Sequence, residues 1–168
     1  MATDQTTSSL LIREATPADV PEILALIRDL AIYEREPNAV VATEADLLRD
    51  GFGETKVFSC LIAEWEGKPA AFALYFPFYS TWRGNAGLHL EDLFVREEFR
   101  RRGIAKALFA RLAQIALARG DRFQWHVLDW NRPAIDFYQR MGAHMLNEWR
   151  IMRIDGEALK ALADNDPQ

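Results

Sequence analysis

The sequence predicts an α/β fold: a central mixed sheet of about six to seven strands, covered by helices, in one domain. Apolar or β-favouring runs gather in the middle of the chain, at 57–65, 70–78 and 87–95, and amphipathic helical patterns lie before and after them. No internal repeat, long low-complexity stretch or linker divides the chain. Its 168 residues are 49% hydrophobic, enough for one sizeable core.

The elements follow in order. Residues 1–9 are polar, rich in Thr and Ser, and are expected to form a flexible N-terminal tail ahead of a domain spanning 10–168. Leu10 to Glu14 reads as a strand. Thr16-Pro17 supplies an N-cap and a proline for the first helical turn, and Val20, Ile23, Leu24, Ile27, Leu30 and Ala31 trace one helical face to about Tyr33. Thr43 with Asp46 caps a second helix that is expected to stop at Gly51. Glu66-Gly67-Lys68 joins the first two central strands as a hairpin, and a third strand covers Gly87 to Val95. Ile104, Ala105, Leu108, Leu112, Ile115 and Ala116 form the face of a long helix, with Gly120 as the residue just past its end. A strand over Phe123 to Leu128, a short helix from Asn131-Arg132-Pro133 to Gly142, a strand over Trp149 to Ile154 and a terminal helical turn over Glu157 to Ala163 complete the expectation.

Composition narrows the function classes. A net charge of −5 gives no overall electrostatic footprint for nucleic acid, and no aromatics interleave with the basic run Arg100 to Arg102. The expected partners therefore exclude nucleic acid and membrane, since no stretch is long and apolar enough to span a bilayer. Cys60 is the only cysteine and sits in an apolar run, so it reads as a buried thiol in a reducing, cytoplasmic compartment. His89, His126 and His144 have no metal-ligand spacing and read as non-ligands, so no metal is expected. If their strands are adjacent, His89 and His126 border the site; as isolated residues they read as satisfied strand histidines.

The chemistry-bearing residues gather at one junction. Leu90-Glu91-Asp92-Leu93-Phe94-Val95 ends a strand, and Arg100-Arg101-Arg102-Gly103-Ile104-Ala105 begins a helix. Unpaired amides, the positive end of the helix dipole and nearby arginines suit a phosphate-bearing ligand. Neither G-x-x-x-x-G-K-[ST] nor G-x-G-x-x-G spacing is present, which disfavours an NTPase or a dehydrogenase. Arg100-x-x-Gly103-x-Ala105 resembles the [RQ]-x-x-G-x-[GA] signature of the GNAT superfamily of acetyl-CoA-dependent N-acetyltransferases. Downstream, Asn131-Arg132-Pro133-Ala134-Ile135-Asp136-Phe137-Tyr138 followed by Gly142-Ala143 resembles the family's N-x-x-[AS]-x-x-[FL]-Y-x-x-x-G element, in the same order. Leu90-Glu91-Asp92 and Trp130-Asn131 bring the match to the spermidine/spermine and thialysine branch. The resemblance runs from Leu10 towards the C-terminus and is strongest from Leu88 to Ala143.

The resemblance implies a GNAT fold splayed at the acetyl-CoA site, acetyl-CoA as co-substrate, and a homodimer. It implies Glu91 as the base that draws a proton from the amine and Tyr138 as the acid that protonates the departing thiolate, with a direct attack in a ternary complex. Read without the motif, Glu91 is a surface strand carboxylate, Tyr138 a packing aromatic and Asn131 an N-cap. Leu93, Phe94 and Val95 would pair with the pantetheine arm. Arg100, Arg101, Arg102, Gly103, Ile104, Ala105 and Lys106 would face the pyrophosphate, and Asn131, Pro133 and Ala134 the other side of the CoA. Substrate binding would fall to Tyr33, Glu34, Trp82, Glu91, Asp92 and Glu148, with Trp149 as a further wall, which together favour a small cationic amine. Ser80-Thr81 stands where the polyamine enzymes carry Asp-Pro, and Asp129-Trp130-Asn131 is closer to the thialysine relatives. The alternatives are a protein lysine or N-terminal acetyltransferase and a non-catalytic acyl-CoA-binding module.

Overall fold

The computed structural model describes residues 9–164. The expected tail therefore lies outside the described residues except for Ser9. The chain divides after His126 into two compact units.

The first unit is a five-stranded sheet with helices on both faces. β1 (Leu10–Glu14) leads through a 3-10 turn (Pro17–Asp19) into α1 (Val20–Tyr33) and then α2 (Glu44–Phe52). β2 (Ser59–Trp65), β3 (Lys68–Ser80) and β4 (Asn85–Val95) form a meander, and α3 (Ile104–Leu117) precedes β5 (Phe123–Trp125). Strand order is β1-β2-β3-β4-β5, antiparallel except for the parallel β4–β5 pair. The sheet is mixed as expected, with five strands rather than six to seven among the described residues.

Local chemistry accounts for most of these boundaries. Thr43 accepts the Asp46 amide at 3.2 Å while the Asp46 carboxylate accepts the Thr43 amide at 3.0 Å, so the start of α2 satisfies its own donors. Glu66 and Gly67 both have positive φ, 50° and 76°, which matches the twist of the tight β2–β3 hairpin. Gly51 does not end α2. The helix runs to Phe52, and a Cβ at Gly51 would lie 2.6 Å from the Phe58 ring. Gly120 is likewise needed for room rather than for a left-handed turn: its φ is not positive, and a Cβ there would meet the Ala86 carbonyl oxygen.

The core lies between the sheet and the first two helices. Val20, Ile23, Leu24, Leu26 and Leu30 of α1 and Leu47 of α2 pack with Cys60, Ile62, Phe72, Leu74 and Phe94. On the opposite face α3 buries Leu108, Phe109 and Leu112, and Phe109 meets Phe123 and Trp125 at ring separations of 5.6 and 4.9 Å. Arg96 ties α1 to the sheet, reaching Glu22 at 2.6 Å, Asp29 at 3.1 Å and the Pro69 carbonyl at 3.1 Å.

The second unit holds α4 (Arg132–Arg140) and α5 (Gly156–Ala163). Asn131 caps α4, its side chain accepting the Ala134 amide at 3.4 Å, and Gly142 follows the helix at φ 94°. The strand expected over Trp149 to Ile154 does not form. Its residues are exposed, and no ladder includes them. Alternating apolar and polar residues mark a half-buried strand only where a partner edge is available. β5 also ends early, at Trp125 rather than Leu128.

Candidate active site

A one-residue irregularity in β4 shapes the site. Leu74 of β3 pairs with Asp92 and the next residue, Tyr75, pairs with Leu90, which leaves Glu91 as the extra residue of a β-bulge. Simple alternation would put Leu88, Leu90, Asp92 and Phe94 on one face. The inserted residue instead turns Asp92 and Phe94 to the α1 side, the side on which His89 pairs with Phe76. The parallel β4–β5 ladder runs only from Leu88↔Phe123 to Leu90↔Trp125 and stops at the bulge. Beyond it, among the described residues, β4 is paired on its β3 side alone, which leaves the Leu93 backbone groups and the Val95 amide open to an extended ligand, the Val95 carbonyl being taken by Arg100.

The bulge brings carboxylates together. Asp92 is pushed up to about 6 by burial, and then by the negative charges of Glu91 and Glu34. Burial also raises Glu34, at the end of α1. Glu91 itself is exposed at the bulge. Tyr33 lies 6.2 Å from the Phe94 ring, and the Arg100 guanidinium sits over both rings at 5.1 and 5.6 Å. Tyr33, Glu34, Glu91 and Asp92 are thus gathered around the end of α1 and the bulge.

Next to them is a stretch of backbone donors. The amides of Arg101 to Lys106 find no acceptor among the described residues, a longer run than a helix start leaves by itself. Arg101 has φ 62° and Gly103 φ 78°, left-handed values that curl the loop before α3. A Cβ at Gly103 would meet nothing within 4 Å, so the loop is open on that side. The arginines differ in role. The Arg100 Nε donates to the Val95 carbonyl at 3.1 Å, and Arg102 donates to the Glu98 carbonyl at 3.3 Å with its guanidinium over Trp65. Arg100 and Arg101, with Glu97, line a cleft of ≈ 340 Å³. This arrangement fits a polyanionic group, and the fit rests on backbone amides more than on arginine charge.

Other candidates fall elsewhere. Trp82 is 88% exposed at the tip of the β3–β4 hairpin, and Asn85 to Leu90 of β4 separate it from Glu91, on the order of 20 Å of strand. Ser80 at the same tip is buried, its hydroxyl accepting from Arg122 at 3.2 Å and from the Arg83 amide at 3.3 Å. Asn131, Pro133, Ala134 and Tyr138 belong to the second unit, where Tyr138 is half-buried on α4 with its ring 5.6 Å from Phe137; Glu148 and Trp149 are exposed beyond that helix. Burial pushes the Cys60 thiol up to about 12, so it offers no nucleophile at neutral pH. His89, read from sequence as a non-ligand that borders the site if its strand adjoins that of His126, does have β5 beside it and is buried with Nε2 3.6 Å from a Glu91 oxygen. Its position two residues before Glu91 was the available signal, but strand alternation alone does not say which neighbours enclose it.

Comparison with known proteins supplies the family. The model of the Acetyltransferase (GNAT) family matches residues 23–143. A thialysine N-epsilon-acetyltransferase of Sus scrofa is 41% identical, over 93% of this chain and 98% of its own length. A spermidine/spermine N(1)-acetyltransferase-like protein of Homo sapiens is 39% identical over 90% of this chain and 23% of its own longer length. Among solved structures, an integron cassette protein from the mobile metagenome of V. cholerae superposes with a TM-score of 0.79 at 26% identity, covering 94% of this chain and 99% of its own. With the family model spanning β2 to β5, the donor loop and α4, and with relatives from the branch its motifs resemble, the chain belongs to the GNAT family of acetyltransferases.

Proposed function

We propose that this N-acetyltransferase transfers acetyl from acetyl-CoA to a primary amine of a small cationic substrate: a diamine, a polyamine or a thialysine- or lysine-like amino acid. The observation that carries the reading is the juxtaposition of Glu34, Glu91 and Asp92 with the unpaired amides of Arg101 to Lys106. One feature attracts a cation and the other a polyanion, and acetyl transfer to an amine needs both.

In this reading the amides of Arg101 to Lys106 bind the pyrophosphate and the open side of β4 from Leu93 to Val95 pairs with the pantetheine arm, while Asn131, Pro133 and Ala134 are assigned to the CoA by the family motif that they match. An alkylammonium with pKa ~10 must lose a proton before it attacks. Glu91 takes it, the free nitrogen adds to the thioester carbonyl polarised by the Phe94 amide, and Tyr138 gives its phenolic proton to the departing sulfur. Attack is direct, without an acyl-enzyme. Ser80 is engaged with Arg122 at the hairpin tip and Trp82 lies distant from the acidic trio, which favours substrates with one cationic end held by the trio over long polyamines anchored at both ends. The protein is further proposed to work as a homodimer in the cytoplasm. A solution mass near twice the 19.2 kDa of one chain supports the dimer, and a monomer mass removes it.

A thiol-release assay with acetyl-CoA and spermidine, spermine, putrescine, thialysine, lysine, ornithine and peptide amines tests the substrate class. Turnover on the small amines above the peptides is expected; turnover on peptide amines alone assigns the enzyme to protein acetylation instead.

A further inference from the structure

Among the described residues, His89 faces the Glu91 carboxylate. The two leave β4 on either side of Leu90, and His89 Nε2 lies 3.6 Å from a Glu91 oxygen, within ion-pair reach and longer than a formed hydrogen bond. His89 itself is held firmly. It stacks on Phe76 at 4.9 Å, meets the edge of His126 at 4.9 Å, and has Nδ1 3.5 Å from the Gln124 amide nitrogen. With that nitrogen donating, Nδ1 is the acceptor and Nε2 carries the hydrogen, pointed at Glu91.

We propose that His89 is a positioning residue for Glu91: a neutral imidazole, keyed by Gln124 and clamped by Phe76, whose Nε2–H holds the Glu91 carboxylate in the orientation from which it takes the amine proton. Neutrality matters to this role. An imidazolium at the same distance would stabilise the carboxylate charge and weaken it as a base, whereas a neutral donor orients it at smaller cost in basicity. Burial holds the His89 pKa below that of an ordinary histidine; His126, the other titratable group facing it, lowers it further, and Glu91 opposes them. From β3 the facing residue is the apolar Phe76, and from β5 the uncharged Gln124. His89 exchanges no proton in the step. The N–H bond of the ammonium breaks, an O–H bond forms on Glu91, and the freed nitrogen lone pair attacks the thioester.

This proposal rests on the acetyltransferase reading of Glu91 and is tested on the intact enzyme in two ways. His89→Phe, which keeps the stacking area, is expected to lower kcat about tenfold, leave KM for acetyl-CoA unchanged and move the acid limb of the kcat profile to higher pH; His89→Gln, which retains a nitrogen donor, is expected to recover to within about threefold of wild type. Nitrogen NMR of labelled imidazoles is expected to show the Nε2–H tautomer of His89, and a lower His89 pKa in Glu91→Gln. A wild-type rate and pH profile in His89→Phe, a loss that His89→Gln does not restore, or an Nδ1–H tautomer overturns it. Absence of acetyl transfer from the wild type would sink the functional reading, while the two NMR observations still judge the His89–Glu91 contact.

Discussion

Glu91 and Asp92 are sequence neighbours with opposite surroundings, one exposed at the bulge and the other turned inward beside it, and each carries its own prediction. Burial, and then the charges of Glu91 and Glu34, push the Asp92 carboxyl up to about 6, well above an ordinary aspartate. A carboxyl raised by folding contributes its full stability below the unfolded value, and that contribution is lost as pH rises through about 6. Asp92→Asn is therefore expected to stabilise the protein by on the order of 2 kcal/mol at pH 8 and by almost nothing at pH 4, read from chemical denaturation at the two pH values. For Glu91→Gln the expectation concerns rate: activity recovers mainly at high pH, where free amine is abundant, and an unaltered pH profile removes the base role. Tyr138→Phe is expected to lower kcat by ~10²-fold with acetyl-CoA affinity nearly intact, and unchanged turnover under rate-limiting chemistry excludes it as the acid.

At the scale of elements, α3 is bounded by two glycines that serve different needs. Gly103 has φ 78° with open space where a Cβ would project. Gly103→Ala is expected to cost about 1 kcal/mol of stability from the left-handed backbone and, if the loop holds the pyrophosphate as proposed, to weaken acetyl-CoA binding more than that, because a strained residue 103 changes the curl that presents the amides. Calorimetric titration beside a thermal melt separates the two effects. Gly120 lies against the Ala86 carbonyl with no room for a methyl group, so Gly120→Ala is expected to destabilise by about 3 kcal/mol with little specific effect on binding by the fraction that remains folded. β4 shows the complementary point. Its hydrophobic run identifies a strand, yet the bulge that separates Glu91 from Asp92 belongs to its pairing with β3 and has no residue signature of its own.

For the molecule as a whole, the cation site proposed at Glu34, Glu91 and Asp92 would link ligand binding to pH. A bound ammonium favours ionised Asp92, and below about 6 that charge is neutralised by protons. Saturating diamine or thialysine is thus expected to raise Tm more at pH 8 than at pH 5, and an equal shift at both would separate the cation from Asp92.

What the sequence determined by itself is local or periodic. The apolar faces of α1 and α3, the Thr43–Asp46 cap, the Glu66-Gly67 turn and the Asn131 cap depend on spacings of a few residues, and the two motifs carried the family because their order and composition are written in the chain. Tertiary structure decided the rest. The end of β5 at Trp125 and the failure of Trp149 to Ile154 to become a strand depend on whether a partner edge exists, and periodicity carries no information about that. Ser80 and Trp82 share a hairpin tip, but only packing separates the one engaged by Arg122 from the one left in solvent. Most of all, the position of His89 against Glu91 arises because one extra residue changes which side chains share a face. Registry across a sheet is a long-range property, set when strands meet, and a strand read alone cannot contain it.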